Sequence, residues 1–212
     1  MMHVILLGPQ GAGKGTQAKM LSKAFALAHI CTGDLFREHI SKQTAFGKKA
    51  KQFIDAGKLV PDSLTITMIK ERFAKPDCKK GFILDGFPRT LAQAEALDEV
   101  VDITHIIEIK IGDALAIKRL TSRRQCKVCG KIYGIDIPEK VKGKCDNDNS
   151  PLYQRDDDKE GAIKKRLHLY HEETEPLLEY YKPRNITFSV DGSLPVEKTF
   201  QALKKILEET SL

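Results

Sequence analysis

The chain has 212 residues, with 35 Lys and Arg against 29 Asp and Glu for a formal net charge of +6. Hydrophobic residues at 41% and charged residues at 30% exclude a chain disordered by composition, and no apolar run nears the roughly 18 residues of a membrane span. The positive surplus admits nucleic acid or phosphorylated small molecules as partners and demands neither.

Met1, Met2 and His3 lead straight into an apolar run, with no basic region or cleavage site of a signal peptide, so a cytoplasmic chain is expected. His3 to Leu7 reads as a buried parallel strand that ends in a glycine-rich turn. Lys14 to Leu27 has helical spacing, with Ala18, Leu21, Ala24 and Phe25 on one stripe. Ala28 to Cys31 reads as a second strand. Thr32 is placed to cap the segment around Leu35 and Phe36, and Asp62 to cap the helix carrying Leu64, Met68, Ile69 and Phe73. Further strands are expected at Gly81 to Leu84, Thr104 to Ile109 and Ile186 to Val190. Helices are expected over Asp113 to Arg124, over Lys159 to Tyr181 with an interruption at Pro176, and over Val196 to Leu207.

Strands alternating with helices predict an α/β fold, a parallel five-stranded sheet covered on both faces. Residues 32–60 and 122–158 fit the alternation poorly and read as insertions on the ligand edge. The core then comprises 1–31, 61–121 and 159–212.

The segment Gly8-Pro9-Gln10-Gly11-Ala12-Gly13-Lys14-Gly15-Thr16 stands directly between a predicted strand and a predicted helix. Its glycines let several backbone N–H groups turn toward one phosphate, the helix N-terminus adds positive potential, and Lys14 reaches the terminal phosphates. The general pattern has Ser or Thr directly after the lysine as a Mg²⁺ ligand. Here Gly15 stands there, which leaves Mg²⁺ to bind through water.

The five cysteines are an odd count in a chain with no signal peptide, which argues for metal or free thiols and against a disulfide framework. Two residues separate Cys126 from Cys129, fifteen separate Cys129 from Cys145, and two separate Cys145 from Asp148. This is the spacing of a closed tetrahedral Zn²⁺ site with Asp in the fourth place. Asp146 is the alternative fourth ligand, and Lys127, Lys131, Lys142 and Lys144 offset the negative charge of such a centre. A basic zinc ribbon that binds nucleic acid is a second reading of the same feature. The flanking arginines Arg123 and Arg155 speak against it.

The loop GPQGAGKGTQ resembles that of adenylate kinases, and other motifs follow in family order over nearly the whole chain. They are Thr32-Gly33-Asp34 with Arg37, Gly57 to Asp62, Gly81 to Thr90 with Gln93, Arg119 and Arg123, Arg155 to Asp158, and Arg166. The resemblance implies a P-loop nucleoside monophosphate kinase fold of three layers, with an AMP-binding insertion at 32–60 and a lid at 122–158. It implies that Gly11, Ala12, Gly13, Lys14, Gly15 and Thr16 hold the ATP phosphates. Arg119, Arg123, Ile132, Tyr133 and Leu194 complete the ATP site. AMP is assigned to Thr32, Arg37, Gly57, Lys58, Leu59, Val60, Gly86, Arg89 and Gln93, with Arg155 and Arg166 bridging the transferring phosphates. The cysteine cluster is similar to the metal-bearing lid of some bacterial members. The implied partners are ATP, AMP and ADP, with Mg²⁺ and a structural Zn²⁺ as cofactors, no nucleic acid and no membrane, in a monomer.

These residue types suit that chemistry on physical grounds as well. Phosphoryl transfer between nucleotides is mainly positioning and charge stabilisation, and guanidinium forks bind phosphate oxygens bidentately. Lys14, Arg89, Arg123, Arg155 and Arg166 are therefore the expected catalytic cations, with Asp85 at the end of a strand to order Mg²⁺-bound water. Two roles are open to Asp157 and Asp158, ordering such water or latching the lid through ion pairs. The acceptor is an anionic oxygen, so no catalytic histidine is sought. His168 and His171 stand three apart on a helix, a metal-compatible spacing, and read better as surface residues. Cys31 reads as a small buried apolar residue. A pyrimidine nucleoside monophosphate kinase and a P-loop switch or nucleic-acid-binding NTPase are the other functions weighed.

Overall fold

The computed structural model describes residues 1–55 and 58–210, so the Gly57 assignment lies outside the described residues. Five strands form one parallel sheet: β1 (Met2–Leu7), β2 (Ala28–Cys31), β3 (Gly81–Asp85), β4 (His105–Lys110) and a late strand, Thr187–Asp191. Their spatial order is β2-β3-β1-β4 and then the late strand. Consecutive side chains of β1 feed opposite faces. Ile5 and Leu7 pack with Ile69, Leu97, Leu177 and Tyr181, whereas Val4 and Leu6 pack with Ala18, Leu21, Leu203 and Leu207. That alternation makes the three layers.

On the second face lie α1 (Lys14–Phe25) and the C-terminal helix (Val196–Glu209); on the first lie α4 (Asp62–Phe73) and α5 (Leu91–Asp98). The insertion after β2 holds α2 (Thr32–Ser41) and α3 (Ala45–Asp55). Phe36 and Ala50 from these two helices pack with Val60 and Met68 in a small cluster of their own.

Two expected caps take other partners. Thr32 is the first residue of α2, whose cap is Cys31, and its hydroxyl donates to the Gly86 carbonyl at 2.8 Å. Asp62 is the first residue of α4, capped by Pro61, and its carboxylate accepts from Thr90 Oγ1 at 3.0 Å and Gln93 Nε2 at 2.6 Å. In both cases a tertiary acceptor or donor outcompetes the local backbone group that a capping side chain would bind.

The helix α6 (Asp113–Ser122) stops short of Arg124, because Arg123 is extended and leads into the insertion. That insertion contains an antiparallel sheet not foreseen above, formed by β5 (Arg124–Cys126), β6 (Ile132–Tyr133) and β7 (Leu152–Tyr153). Strands of two or three residues are too short to show alternation. Its apolar centre among the described residues is Cys126, Tyr133 and Cys145 with Leu152 against them.

The long helix expected over Lys159 to Tyr181 is divided into α7 (Glu160–Leu169), a wide turn at Tyr170–Thr174 and α8 (Leu177–Tyr181). Glu175 N–H reaches back five residues to the Tyr170 carbonyl at 2.8 Å. Pro176 lacks an N–H and crowds the preceding turn, which the wider winding relieves. The late strand is β8 and the C-terminal helix α9. Among the described residues no helix is long and apolar enough to cross a membrane.

Candidate active site

The strand order places β1 between β3 and β4, so the chain's crossovers leave β1 in both directions and open a crevice at its carboxyl end. The phosphate loop emerges there. Gly8 has φ 138° and Gly13 φ 91°, and a side chain at Gly8 would stand 2.4 Å from the Ile109 carbonyl oxygen. Only glycine permits both the left-handed turn and this close approach to β4.

Within the loop the Lys14 ammonium donates to the Gly8 and Pro9 carbonyls at 2.6 and 2.9 Å. Burial pushes its pKa down to about 8, against the attraction of Asp85. Asp85 ends β3 and is itself buried. Burial opposes its ionisation, yet the imidazole of His29 and the charges of Lys14 and Arg89 hold its carboxyl below the usual range. The sign for Lys14 is that of a cation with a lowered pKa. The ammonium is present below about 8 and lost as pH rises through it. Affinity for an anion held by this ammonium should therefore fall above that pH, approaching tenfold per unit. A profile that stays flat to about pH 10 would show that another group carries the phosphate charge.

Arg89 lines the same crevice. Its Nε donates to the Gly86 carbonyl at 2.8 Å and its backbone N–H to Gln93 Oε1 at 2.8 Å. Thr174 Oγ1 donates to the Arg89 carbonyl at 2.9 Å. Thr32 and Gln93 thus hold the Gly86–Arg89 turn from behind and do not line the cavity, and neither do Lys58, Leu59 and Val60. Asp62 joins the same network through Gln93 and Thr90, a positioning role that its place in the sequence did not disclose. Arg37 pairs with Asp34 at 2.5 Å.

The neck of the long insertion is clasped by charge. Arg123 forks onto Asp158, with Nε to Oδ2 at 2.8 Å and Nη2 to Oδ1 at 2.5 Å. Arg155 forks onto Asp157 at 2.8 and 2.6 Å. Arg166 reaches the Asp157 carboxylate at 2.9 Å and its carbonyl at 3.0 Å. Both aspartates are ion-paired in this structure. Burial lowers Arg166 to about 10, and the like charges of Arg155, Arg89 and Arg123 add to the effect. The guanidinium groups are crowded together with fewer carboxylates than charges, which is an arrangement that awaits an anion.

Arg119 donates to the Gly192 carbonyl at 2.8 Å and pairs with Asp136 of the insertion at 2.6 Å. Arg119, Ile132, Tyr133 and Leu194 share the cavity wall with Gly11 to Thr16. The two helical histidines are engaged elsewhere: His168 with Glu172, and His171 with Asp113 and Glu175. Cys31 departs from the expectation of a core residue. It is half-buried on the cavity wall, and burial pushes its thiol up to about 12.

In the insertion Cys126, Cys129, Cys145 and Asp148 bring one donor atom each within 4.8 Å of one another. Cys126 Sγ lies 3.3 Å from Asp148 Oδ2, and Cys129 Sγ 3.4 Å from Cys145 Sγ. The N–H groups of Val128 and Cys129 point at Cys126 Sγ at 3.3 Å each, and Asn147 N–H and Tyr133 O–H at Cys145 Sγ at 3.4 Å each. Donors aimed at sulfur favour thiolates, so this set fits a divalent metal. Asp146 is turned away to Lys131 and the Lys140 N–H, which leaves Asp148 as the fourth donor.

Lys14 and the guanidinium forks of Arg37, Arg89, Arg123, Arg155 and Arg166 line one glycine-rich hollow at the N-terminus of α1, and the species such a set suits is a run of phosphates. The class defined in this way is a P-loop enzyme that moves phosphoryl groups between nucleotides. The family model for adenylate kinase matches residues 6–186. The chain is 48% identical to an adenylate kinase of Archaeoglobus fulgidus and 49% identical to one of Methanocella arvoryzae, in each case over 98% of this chain and 99% of the relative. It is 48% identical to one of Clostridium acetobutylicum over 98% of this chain and all of that protein. The chain belongs to the adenylate kinase family, and its activity is that of an ATP:AMP phosphotransferase.

Proposed function

We propose that the two walls of the crevice divide the substrates of Mg-ATP + AMP ⇌ 2 ADP between them. Gly11 to Thr16 hold the ATP phosphates, with Arg119, Ile132, Tyr133 and Leu194 along the rest of that nucleotide. The side of Arg37, Gly86 and Arg89 takes AMP, backed by Thr32 and Gln93. The observation that carries this reading is that Lys14 of the glycine loop and Arg89 beyond β3 line one cavity, both within electrostatic reach of the buried Asp85.

Transfer then needs little beyond alignment. Arg123, Arg155 and Arg166 exchange part of their pairing with Asp157 and Asp158 for phosphate oxygens, so the charge that builds in the transition state meets donors already oriented. Residues 122–158 act as a lid that excludes water, the competing acceptor, and 32–60 as the AMP-binding part. Mg²⁺ bound with ATP would neutralise charge on its phosphates, and Asp85 would hold a water of that ion.

Cys126, Cys129, Cys145 and Asp148 hold Zn²⁺ in a closed structural site that stiffens the lid. The five cysteines are unpaired, which supports a reducing, cytoplasmic setting. A coupled assay with ATP and AMP, CMP, UMP or GMP should give fast ADP formation with AMP and only slow ATP hydrolysis without an acceptor. Equal rates with a pyrimidine monophosphate, or hydrolysis as fast as transfer, would reject the assignment of the acceptor wall and of the lid respectively.

A further inference from the structure

Among the described residues there is a second cluster of metal-ligating groups besides the one in the lid. Donor atoms of His29, Cys31 and Asp85 all lie within 4.8 Å of one another. The cluster follows from strand geometry. Residues two apart on a strand share a face, so His29 and Cys31 point the same way from β2, and the parallel register sets Cys31 beside Asp85 on β3. An imidazole nitrogen, a sulfur and a carboxylate oxygen are thereby carried on two adjacent strands at the sheet's carboxyl edge. Rigid strands hold such donors better than loops do.

Apart from its pull on the Asp85 carboxyl, the imidazole is unengaged. His29 Nε2 is shielded from solvent without a hydrogen-bond partner and stands 3.8 Å from Asp85 Oδ2. That is too long for a hydrogen bond, and it leaves room for an ion at about 2.1 Å from each. Lys14, which faces the same space, spends its ammonium on the Gly8 and Pro9 carbonyls. All three residues open on the phosphate cavity, which gives an ion its path in.

We propose that His29, Cys31 and Asp85 form a second metal site, which takes a thiophilic divalent cation such as Zn²⁺ or Co²⁺, and that its occupation inhibits the enzyme. A nitrogen, sulfur and oxygen donor set selects these ions over Mg²⁺, which requires oxygen ligands. As the metal–sulfur bond forms, the Cys31 S–H bond breaks and its proton passes to solvent. The resulting thiolate and the Asp85 carboxylate balance the two charges of the ion, with no change of oxidation state. Three protein ligands leave the ion open toward the cavity, where water or a phosphate oxygen completes its shell.

Inhibition follows from where Asp85 points. A Cβ built on Gly15 would stand 3.1 Å from Asp85 Oδ2, so an ion on that carboxylate sits against the phosphate loop. It also removes the group assigned above to Mg²⁺-bound water. This half of the inference rests on that assignment; the binding half does not.

The test uses the full chain with its lid loaded with Zn²⁺ and free metal removed. Titration with Co²⁺ in the absence of nucleotide should reveal one further equivalent, marked by a thiolate-to-cobalt charge-transfer band. Cys31→Ser should abolish the band while keeping turnover with Mg-ATP and AMP, and His29→Gln should weaken binding at least about tenfold. Under excess Mg²⁺, Zn²⁺ should inhibit the parent at concentrations at least about tenfold below those needed for Cys31→Ser. No second equivalent, or a band that survives unchanged in Cys31→Ser, would overturn the site. Binding through Cys31 with no inhibition would overturn the inhibitory half and the reading of Asp85, while the acceptor panel tests the overall activity separately.

Discussion

Replacing Lys14 with Met is expected to lower kcat for ADP formation by at least about 10²-fold while the protein stays folded. The side chain is the one cation inside the glycine loop, and its ammonium rests on two loop carbonyls at 2.6 and 2.9 Å. A bound phosphate draws it off those carbonyls toward the charge that develops in transfer. Losing a preoriented donor at such a position costs roughly 3–4 kcal/mol of transition-state stabilisation. Folding should not suffer in proportion, because burial already lowers the lysine pKa to about 8 and so penalises the charged side chain. Met fills similar volume without that penalty. Steady-state kinetics and a melting curve on the same preparation decide it. Near-normal turnover in a folded variant would remove the phosphate loop from the mechanism.

Loss of the metal proposed for the lid should act in the opposite way, on stability and hardly on chemistry. The apolar centre of the lid is a few side chains, and two of them, Cys126 and Cys145, belong to the ligand set. A segment with so little core depends on its cross-link. Cys145→Ser, or a strong chelator, should lower the melting temperature on the order of 10 °C. Well below the new midpoint most of kcat should survive, since four protein donors leave no coordination position for a substrate atom. Metal analysis of the parent before any addition should return about one zinc per chain. A lid shown to stay folded, together with complete loss of activity, would mean that the metal takes part in transfer.

Both expectations rest on features legible in the sequence, and for a common reason. The phosphate loop, the cysteine spacing and the alternation of strand with helix are each written in one contiguous stretch. Neighbouring residues determine whether a backbone can turn at Gly13, whether Cys126 and Cys129 can share an ion, and whether a run such as Val4 to Leu7 must be buried on both faces. The interruption at Pro176 is local in the same sense.

What tertiary structure decided depends on register and on long-range competition. Thr32 and Asp62 have the chemistry of caps, but they bind Gly86 and the Thr90–Gln93 pair because those partners are presented by a different strand and helix. The short strands of the lid exist through pairing, as Arg124 meets Tyr133 and Cys126 meets Leu152 across the small sheet. Asp158 became a clasp only when folding brought Arg123 to it, which exchanged solvation of buried charge for bidentate pairing, and Asp157, which Arg155 two residues away already meets, gained Arg166 in the same way. The His29, Cys31 and Asp85 cluster is the clearest case. Its members come from segments more than fifty residues apart, and they meet because parallel strands in one register, β2 beside β3, set Cys31 opposite Asp85. Sequence carried the residue types and the local turns; the sheet order β2-β3-β1-β4-β8, a matter of which hydrogen-bonding edges pair, chose which of those residues would face one another.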